Sequence, residues 1–154
     1  MHRLMAGPLG AVGGPLVGGV LTLLCRALNP GRARELTDVE RAVLGPLVPD
    51  ALLGEVRIVE NAMLPIHPAF AAITLHRTVY VRGAALQRLP GLLAHEVAHV
   101  AQFDRLGWRG MMSSYGALWL EHGYLAHPLE HEAREAERAA LAQWAARRAQ
   151  DESG

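Results

Sequence analysis

Two histidines four residues apart, with a glutamate directly after the first, are the residues of this chain best suited to chemistry. They lie in the segment HEVAH at residues 95–99. On a helix, residues four apart differ by only about 40° around the axis, so both imidazole rings project from the same face. Two imidazoles so placed can bind one Zn²⁺, and the glutamate between them can take a proton from a metal-activated water. The motif therefore predicts that His95 and His99 bind metal and that Glu96 is a general base.

A catalytic zinc site needs a third protein ligand besides the two histidines. Gln102 and Arg105 stand where metzincins carry glycine and their third histidine, so the ligand must come from elsewhere. Residues 127–137, which follow a further expected helix, hold several glutamates and histidines. Within this segment Glu130 borders a stripe of small apolar residues that should pack on the HEVAH helix, and we expect it to be the third ligand. The alternatives are Glu132 and His131.

If a metal-bound water attacks a carbonyl carbon, a hydrogen-bond donor is also needed for the negative charge that develops on the carbonyl oxygen. Tyr124 and His127, just before the third expected helix, are the catalytic candidates for this role, and His122 and Tyr115 are further candidates. An extended substrate would pair with a strand at the edge of the sheet. Residues 78–81, the last strand before the HEVAH helix, are expected to be that edge strand.

Helical periodicity surrounds and follows the motif. Apolar residues after Pro90 recur at helical spacing, which predicts a helix over residues 91–105 that ends at Gly107. A second helix is expected over residues 109–122. A third begins at Pro128, because proline suits the first turn of a helix.

Shorter elements are expected upstream of the motif. Thr37 and Glu40 have the spacing of a capping box and predict a short helix that ends near Gly45. Segments rich in β-branched residues predict strands at residues 55–59, 72–75 and 78–81. The fold class that follows is α+β, with a short twisted sheet packed on an active-site helix and additional helices.

Composition limits the partners and the kind of site. The chain has 154 residues, enough for one domain with a substantial core. Its 15 Lys and Arg balance 15 Asp and Glu, and no basic stripe is present, which argues against nucleic acid as a partner. A single cysteine, Cys25, excludes an intrachain disulfide framework and a cysteine-rich zinc site. Metal ligands must therefore be histidines and carboxylates.

The N-terminal segment differs from the rest of the chain. Residues 4–25 contain no charged side chain and many glycines. Three interpretations stay open: a membrane anchor, a cleaved signal peptide, or an apolar hairpin that covers the domain. We accordingly divide the chain into an N-terminal segment and linker at residues 1–33 and a catalytic domain at residues 34–150. The localisation is left open between membrane-associated and cytoplasmic.

Two motifs resemble those of a known family. The segment LLAHEVAHVAQ at residues 92–102 resembles the active-site helix of bacterial zincin-type metallopeptidases, among them short metallopeptidase-like domains. The segment EHEA at residues 130–133 is similar to the E-x-x-A motif of gluzincins, including the membrane-bound HtpX-type proteases, and HPLE at residues 127–130 resembles the N-P-x-E of the short domains. The resemblance covers about residues 72–140 and departs at Arg134, where HtpX-type proteases carry an aspartate.

The resemblance implies a zincin-like fold, one Zn²⁺ ion and hydrolysis of peptide bonds in a peptide or protein substrate. It implies that His95, His99 and Glu130 bind the zinc and that Glu96 is the base. A second hypothesis is a zincin-fold module that binds a partner or has a structural role without catalysis, with or without a membrane anchor.

Overall fold

The computed structural model describes residues 8–88, 90–122 and 127–152. The helices are α1 (Pro8–Leu28), α2 (Asp38–Leu44), α3 (Asp50–Leu53), α4 (Ala85–Arg88), α5 (Leu92–His122) and α6 (Pro128–Asp151). The strands are β1 (Ala33–Arg34), β2 (Arg57–Val59), β3 (Ala72–Leu75) and β4 (Thr78–Val81). The expected α+β class is confirmed.

The four strands form one sheet in the order β1-β2-β4-β3. Strand β4 pairs in parallel with β2 and antiparallel with β3, to which a two-residue turn connects it. His76 in that turn has a φ of 58°, as a tight hairpin requires. The expectation that residues 78–81 form an edge is therefore wrong: β4 lies inside the sheet, and β3 is the edge strand next to it. Val79, Tyr80 and Val81 are all buried, and a strand buried on both faces belongs inside a sheet.

The main core lies between the sheet and the first half of α5. Val97 and Val100 on α5 are fully buried in the same cluster as Val79 and Val81 of β4. Apolar residues three apart, less than one helical turn, thus define the face of α5 that meets the sheet. The capping box is also confirmed: Thr37 accepts a hydrogen bond from the backbone of Glu40, whose side chain accepts one from the backbone of Thr37.

The predicted helix end at Gly107 is confirmed as a break within α5. Gly107 has φ 67° and ψ 169°, a conformation outside the helical region that glycine adopts without steric cost. The predicted start of α6 at Pro128 is confirmed as well, with His127 as its N-cap. The helical segment after the break reverses the chain, so that α6 returns to pack against α5.

Helix α1 packs against α5 rather than standing apart from it. Gly14 and Gly18 face Met112 so closely that a Cβ at either position would overlap atoms of that residue. Directly after α1, Ala33 pairs with Val59 in the sheet. The described part of residues 1–33 therefore contributes a helix and the start of a strand to the same packed unit.

Among the residues that the structure describes, no helix is both long enough and apolar enough to cross a membrane.

Candidate metal centre

Three side chains with metal-binding groups meet where α5 packs against α6. His95 and His99 project from the first half of α5, and Glu130 projects from the first turn of α6. One ligand atom from each lies within 4.8 Å of the others, an arrangement that could hold a metal ion. The side chains are only 12% (His95), 8% (His99) and 2% (Glu130) exposed. The structure thus brings together the three ligands expected from the sequence.

The distances between these groups have the size expected around a small cation. His95 Nε2 lies 3.3 Å from one carboxylate oxygen of Glu130, and His99 Nε2 lies 3.4 Å from the other. Tetrahedral zinc ligands at about 2.0–2.1 Å from the metal are about 3.4 Å from each other. Each histidine therefore points its Nε2 atom toward one oxygen of the Glu130 carboxylate. Both nitrogen–oxygen distances match the distance between two ligand atoms of one zinc ion.

One oxygen of Glu130 lacks a hydrogen-bond donor. The hydroxyl of Tyr115 donates to Oε1 at 2.7 Å. Oε2 is buried and forms no hydrogen bond with the described residues, although it is the oxygen that lies 3.3 Å from Nε2 of His95. Leaving a buried charged oxygen without a partner is costly, so such atoms point to a missing ligand. A cation between Glu130 and the histidines would satisfy this oxygen, and the residues present fit a metal ion.

The surroundings of His99 fix which of its nitrogens can bind metal. Gln102 places Oε1 2.8 Å from Nδ1 of His99. The amide nitrogen of Gln102 donates to Leu129 O at 2.9 Å and to Glu132 Oε2 at 3.0 Å, which holds the amide in this orientation. Nδ1 must therefore donate its proton to Gln102, and neutral His99 keeps a free lone pair on Nε2. Metal-binding histidines are commonly held in this way.

His95 has an acidic partner on its outer side. Nδ1 of His95 lies 3.5 Å from Oε2 of Glu137. Glu137 follows Glu130 by seven residues, about two turns of α6, and lies on the same face of that helix. Gly91 makes this approach possible, because a Cβ there would overlap Cγ of Glu137. Each metal-facing Nε2 thus belongs to a ring whose Nδ1 faces an acceptor.

The cluster shifts the ionisation of its members. Burial would raise the pKa of Glu130, but the contacts with His95, His99 and Tyr115 outweigh it and hold the pKa far below 4.5. Burial would lower the pKa of His99, but Glu130 and Glu96 outweigh it and raise the pKa above 6.5. The Glu130 carboxylate therefore stays negatively charged. It favours a positive charge beside it, either protonated His99 or a metal ion.

Glu96 is placed beside the cluster by strand β3. Its side chain is buried, and its Oε2 accepts a hydrogen bond of 2.7 Å from Oγ1 of Thr74. Glu96 also lines the same cavity as His99 and Glu130. The glutamate expected to act as base thus faces the space next to the three metal-binding groups.

The predicted hydrogen-bond donors have different positions. Tyr124 lies outside the described residues, and so does the side chain of His122. His127 caps α6: Nδ1 accepts from Leu129 N at 3.1 Å, and Nε2 lies 3.3 Å from the carbonyl oxygen of Ser114. Its ring stacks on Tyr115 with centroids 4.6 Å apart. Both nitrogens of His127 thus face backbone groups, and its ring supports Tyr115.

The alternative third ligands lie away from the cluster. Glu132 accepts hydrogen bonds from Gln102 and Arg105, and its side chain is 47% exposed. His131 is 67% exposed and lies 3.6 Å from Glu135. Among the described residues, neither belongs to the group of side chains that could share one ion.

Sequence reasoning missed Thr74, Gln102 and Glu137 as parts of this centre. Two of them carried a usable signal: Gln102 is three residues after His99, and Glu137 is seven after Glu130, so each shares a helix face with a ligand. Thr74 comes from a strand 22 residues before Glu96, a relation that no local spacing encodes.

Comparison with known proteins adds no relative: no protein-family model, no curated protein and no solved structure matches this chain.

Proposed function

We propose that this protein is a zinc-dependent peptidase of the gluzincin type, with His95, His99 and Glu130 as the metal ligands. The observation that carries the proposal is the buried Glu130 carboxylate, which spans two histidine Nε2 atoms while one of its oxygens lacks a donor. Nitrogen and carboxylate ligands in a set of three are typical of catalytic zinc. When bound, Zn²⁺ polarises a carbonyl group and lowers the pKa of water to about 7.

In this proposal Glu96 moves the proton. Its carboxylate accepts a proton from the attacking water and delivers it to the nitrogen of the leaving amine. The hydrogen bond from Thr74 leaves one oxygen, Oε1, available for this task and holds the side chain toward the cavity. Low exposure of Glu96 keeps bulk water from competing for the same proton.

Strand β3 is the surface along which a peptide substrate would lie. Leu75 and Thr78 flank the two-residue turn and form a hydrogen-bonded pair. Because hydrogen-bonded and non-hydrogen-bonded pairs alternate in an antiparallel ladder, the next residue of β3 that bonds to β4 is Ile73. The backbone groups of Ala72 and Thr74 consequently face away from β4, toward the open edge. An extended peptide can add to such an edge through main-chain hydrogen bonds, and Thr74 would then bring it beside Glu96.

The experiment that tests the proposal separates metal binding from turnover. We expect wild-type protein to contain one zinc per chain and to cleave members of a mixed peptide library. His99→Ala should lose both properties, and Glu96→Gln should keep zinc but lose cleavage. His131→Ala, which changes an exposed histidine, is the matched control and should keep both.

Two results would contradict the proposal. Wild-type protein without zinc would remove the metal centre, and full cleavage by Glu96→Gln would remove the base. Stoichiometric zinc without cleavage of any peptide would instead favour the second function, a zincin-fold module that binds a partner or has a structural role.

A further inference from the structure

A large groove leads away from the metal-binding cluster. It has a volume of about 740 Å³ and lies between α1, β3 and α5, with Glu96, His99 and Glu130 in its wall. That volume falls within the range of about 300–1,000 Å³ that ligand sites commonly have. The groove is therefore large enough to bind several residues of a substrate as well as the reacting group.

The wall of this groove is mainly apolar. Large apolar side chains from four different parts of the chain line it: Val17, Leu21, Phe70, Ile73, Phe103 and Met111. Among the residues that the structure describes, its lining includes no arginine or aspartate. Apart from the cluster itself, the ionisable side chains in the wall are His67 and Tyr115. An acidic substrate side chain would meet no arginine among these described residues, whereas an apolar one would be removed from water.

Helix α1 is a fixed wall of the groove. Gly14 and Gly18 let its backbone lie directly on Met112, which is itself a lining residue. Leu21 packs in the same hydrophobic cluster as Ile73 of β3, and Val17, about one turn earlier on α1, lines the same groove. Val17 is 68% exposed, so it forms the rim rather than the floor.

From this arrangement we infer that the groove between α1 and β3 selects peptide substrates with large apolar side chains, such as leucine or phenylalanine, next to the scissile bond. Val17 and Leu21 of α1 are its specificity-determining residues. The inference rests on the proposed peptidase function, because it assumes that the occupant is the substrate. The N-terminal helix is thus part of the substrate site.

Binding can be measured without turnover in the zinc-loaded Glu96→Gln protein. The probes are two fluorescein-labelled hexapeptides of the same sequence, with leucine at the two central positions in one and aspartate in the other. We expect the leucine peptide to bind at least about tenfold more tightly in fluorescence polarisation, since burying one such side chain accounts for a factor of about 10 or more.

Val17→Asp in the same background tests the role of α1. Because Val17 is exposed, the charge should not disturb folding, and it should reduce the preference for leucine by about fivefold or more. Val20→Asp is the matched control: Val20 lies on the same helix, is 58% exposed and does not line the groove. It should leave the preference unchanged.

The outcomes separate this inference from the peptidase proposal. Equal binding of both peptides, or equal effects of Val17→Asp and Val20→Asp, would overturn the inference even if wild-type protein cleaves peptides. Selective binding of the leucine peptide, lost only in Val17→Asp, would support the groove even if wild-type protein cleaves nothing.

Discussion

Glu137 approaches His95 from the side of the imidazole ring that faces away from the cluster, with 3.5 Å between Oε2 and Nδ1. In the proposed metal centre this contact would orient His95, and Arg134 stands where the HtpX-type proteases that the motif resembles carry an aspartate. Glu137 follows Arg134 by three residues, almost one turn of α6. The missing side chain of Gly91 provides the room for it. A carboxylate on Nδ1 orients the ring and makes Nε2 a better metal ligand.

Glu137→Gln should therefore weaken zinc binding without abolishing it. Losing the partner of a ligating histidine typically reduces metal affinity by about 10- to 100-fold. Competition with a fluorescent zinc chelator measures the change. Glu135→Gln is the matched control, because Glu135 lies on the same helix with a side chain that is 60% exposed. Equal affinities for the two variants would contradict a role of Glu137 in holding His95.

Glu130→Gln and Glu132→Gln identify the third ligand. We expect Glu130→Gln to lose stoichiometric zinc, because the amide cannot replace the buried carboxylate between two imidazoles. Glu132→Gln should still bind one zinc per chain, since its carboxylate contacts Gln102 and Arg105. Elemental analysis after gel filtration measures both. The reverse pattern would assign the ligand to Glu132.

The three residues that could hold a metal ion were predictable because their signals are local. The spacing of His95 and His99, the helix end at Gly107 and the helix start at Pro128 each depend on residues within one or two turns. Once both helices are known, Glu130 is a strong candidate because it borders the stripe that packs on α5. The three side chains indeed meet there.

The parts that depend on distant contacts could not be predicted in the same way. Strand β4 was expected at the edge, yet β2 pairs with it in parallel after a connection that no turn motif marks. The elements β1, α3 and α4 have two to four residues, too few to show any periodicity. The packing of α1 on Met112 depends on glycines, which the sequence alone also allows in a membrane helix.

Thr74 should act as a positioning residue for Glu96. Thr74→Val keeps the shape of the side chain but removes its hydrogen bond to the carboxylate. A hydrogen bond to a charged group contributes about 1.5–3 kcal/mol, so kcat should fall by about 10- to 100-fold. Zinc content should not change, because the hydroxyl of Thr74 bonds to Glu96, which is not one of the three ligands. Steady-state kinetics with a cleaved library peptide provides the measurement.

The conservative variant is the control for this prediction. Thr74→Ser retains the hydroxyl and should recover most of the wild-type kcat. If Thr74→Ser and Thr74→Val lose the same activity, the methyl group and its packing matter instead, and the hydrogen bond to Glu96 does not position the base.

The cluster should also make stability depend on pH in opposite ways with and without metal. In metal-free protein the lowered pKa of Glu130 contributes stability that is present above pH 4.5 and is lost as pH falls through the lower folded value. The raised pKa of His99 contributes stability that is fully present below pH 6.5 and is lost as pH rises through the higher folded value. These two groups therefore favour the metal-free fold most between pH 4.5 and 6.5.

Added zinc should stabilise the protein more at alkaline pH, where the metal-free protein is less stable. Metal binding requires neutral imidazole, so protons compete with zinc below the pKa of His99 and cease to compete above it. Thermal unfolding at about pH 5.5 and about pH 8 should give a lower metal-free Tm at the higher pH, while the increase in Tm from added zinc grows with pH. His131→Ala, which alters a histidine outside the cluster, should behave like the wild type. A zinc effect of equal size at both pH values would mean that His99 does not exchange a proton for the metal.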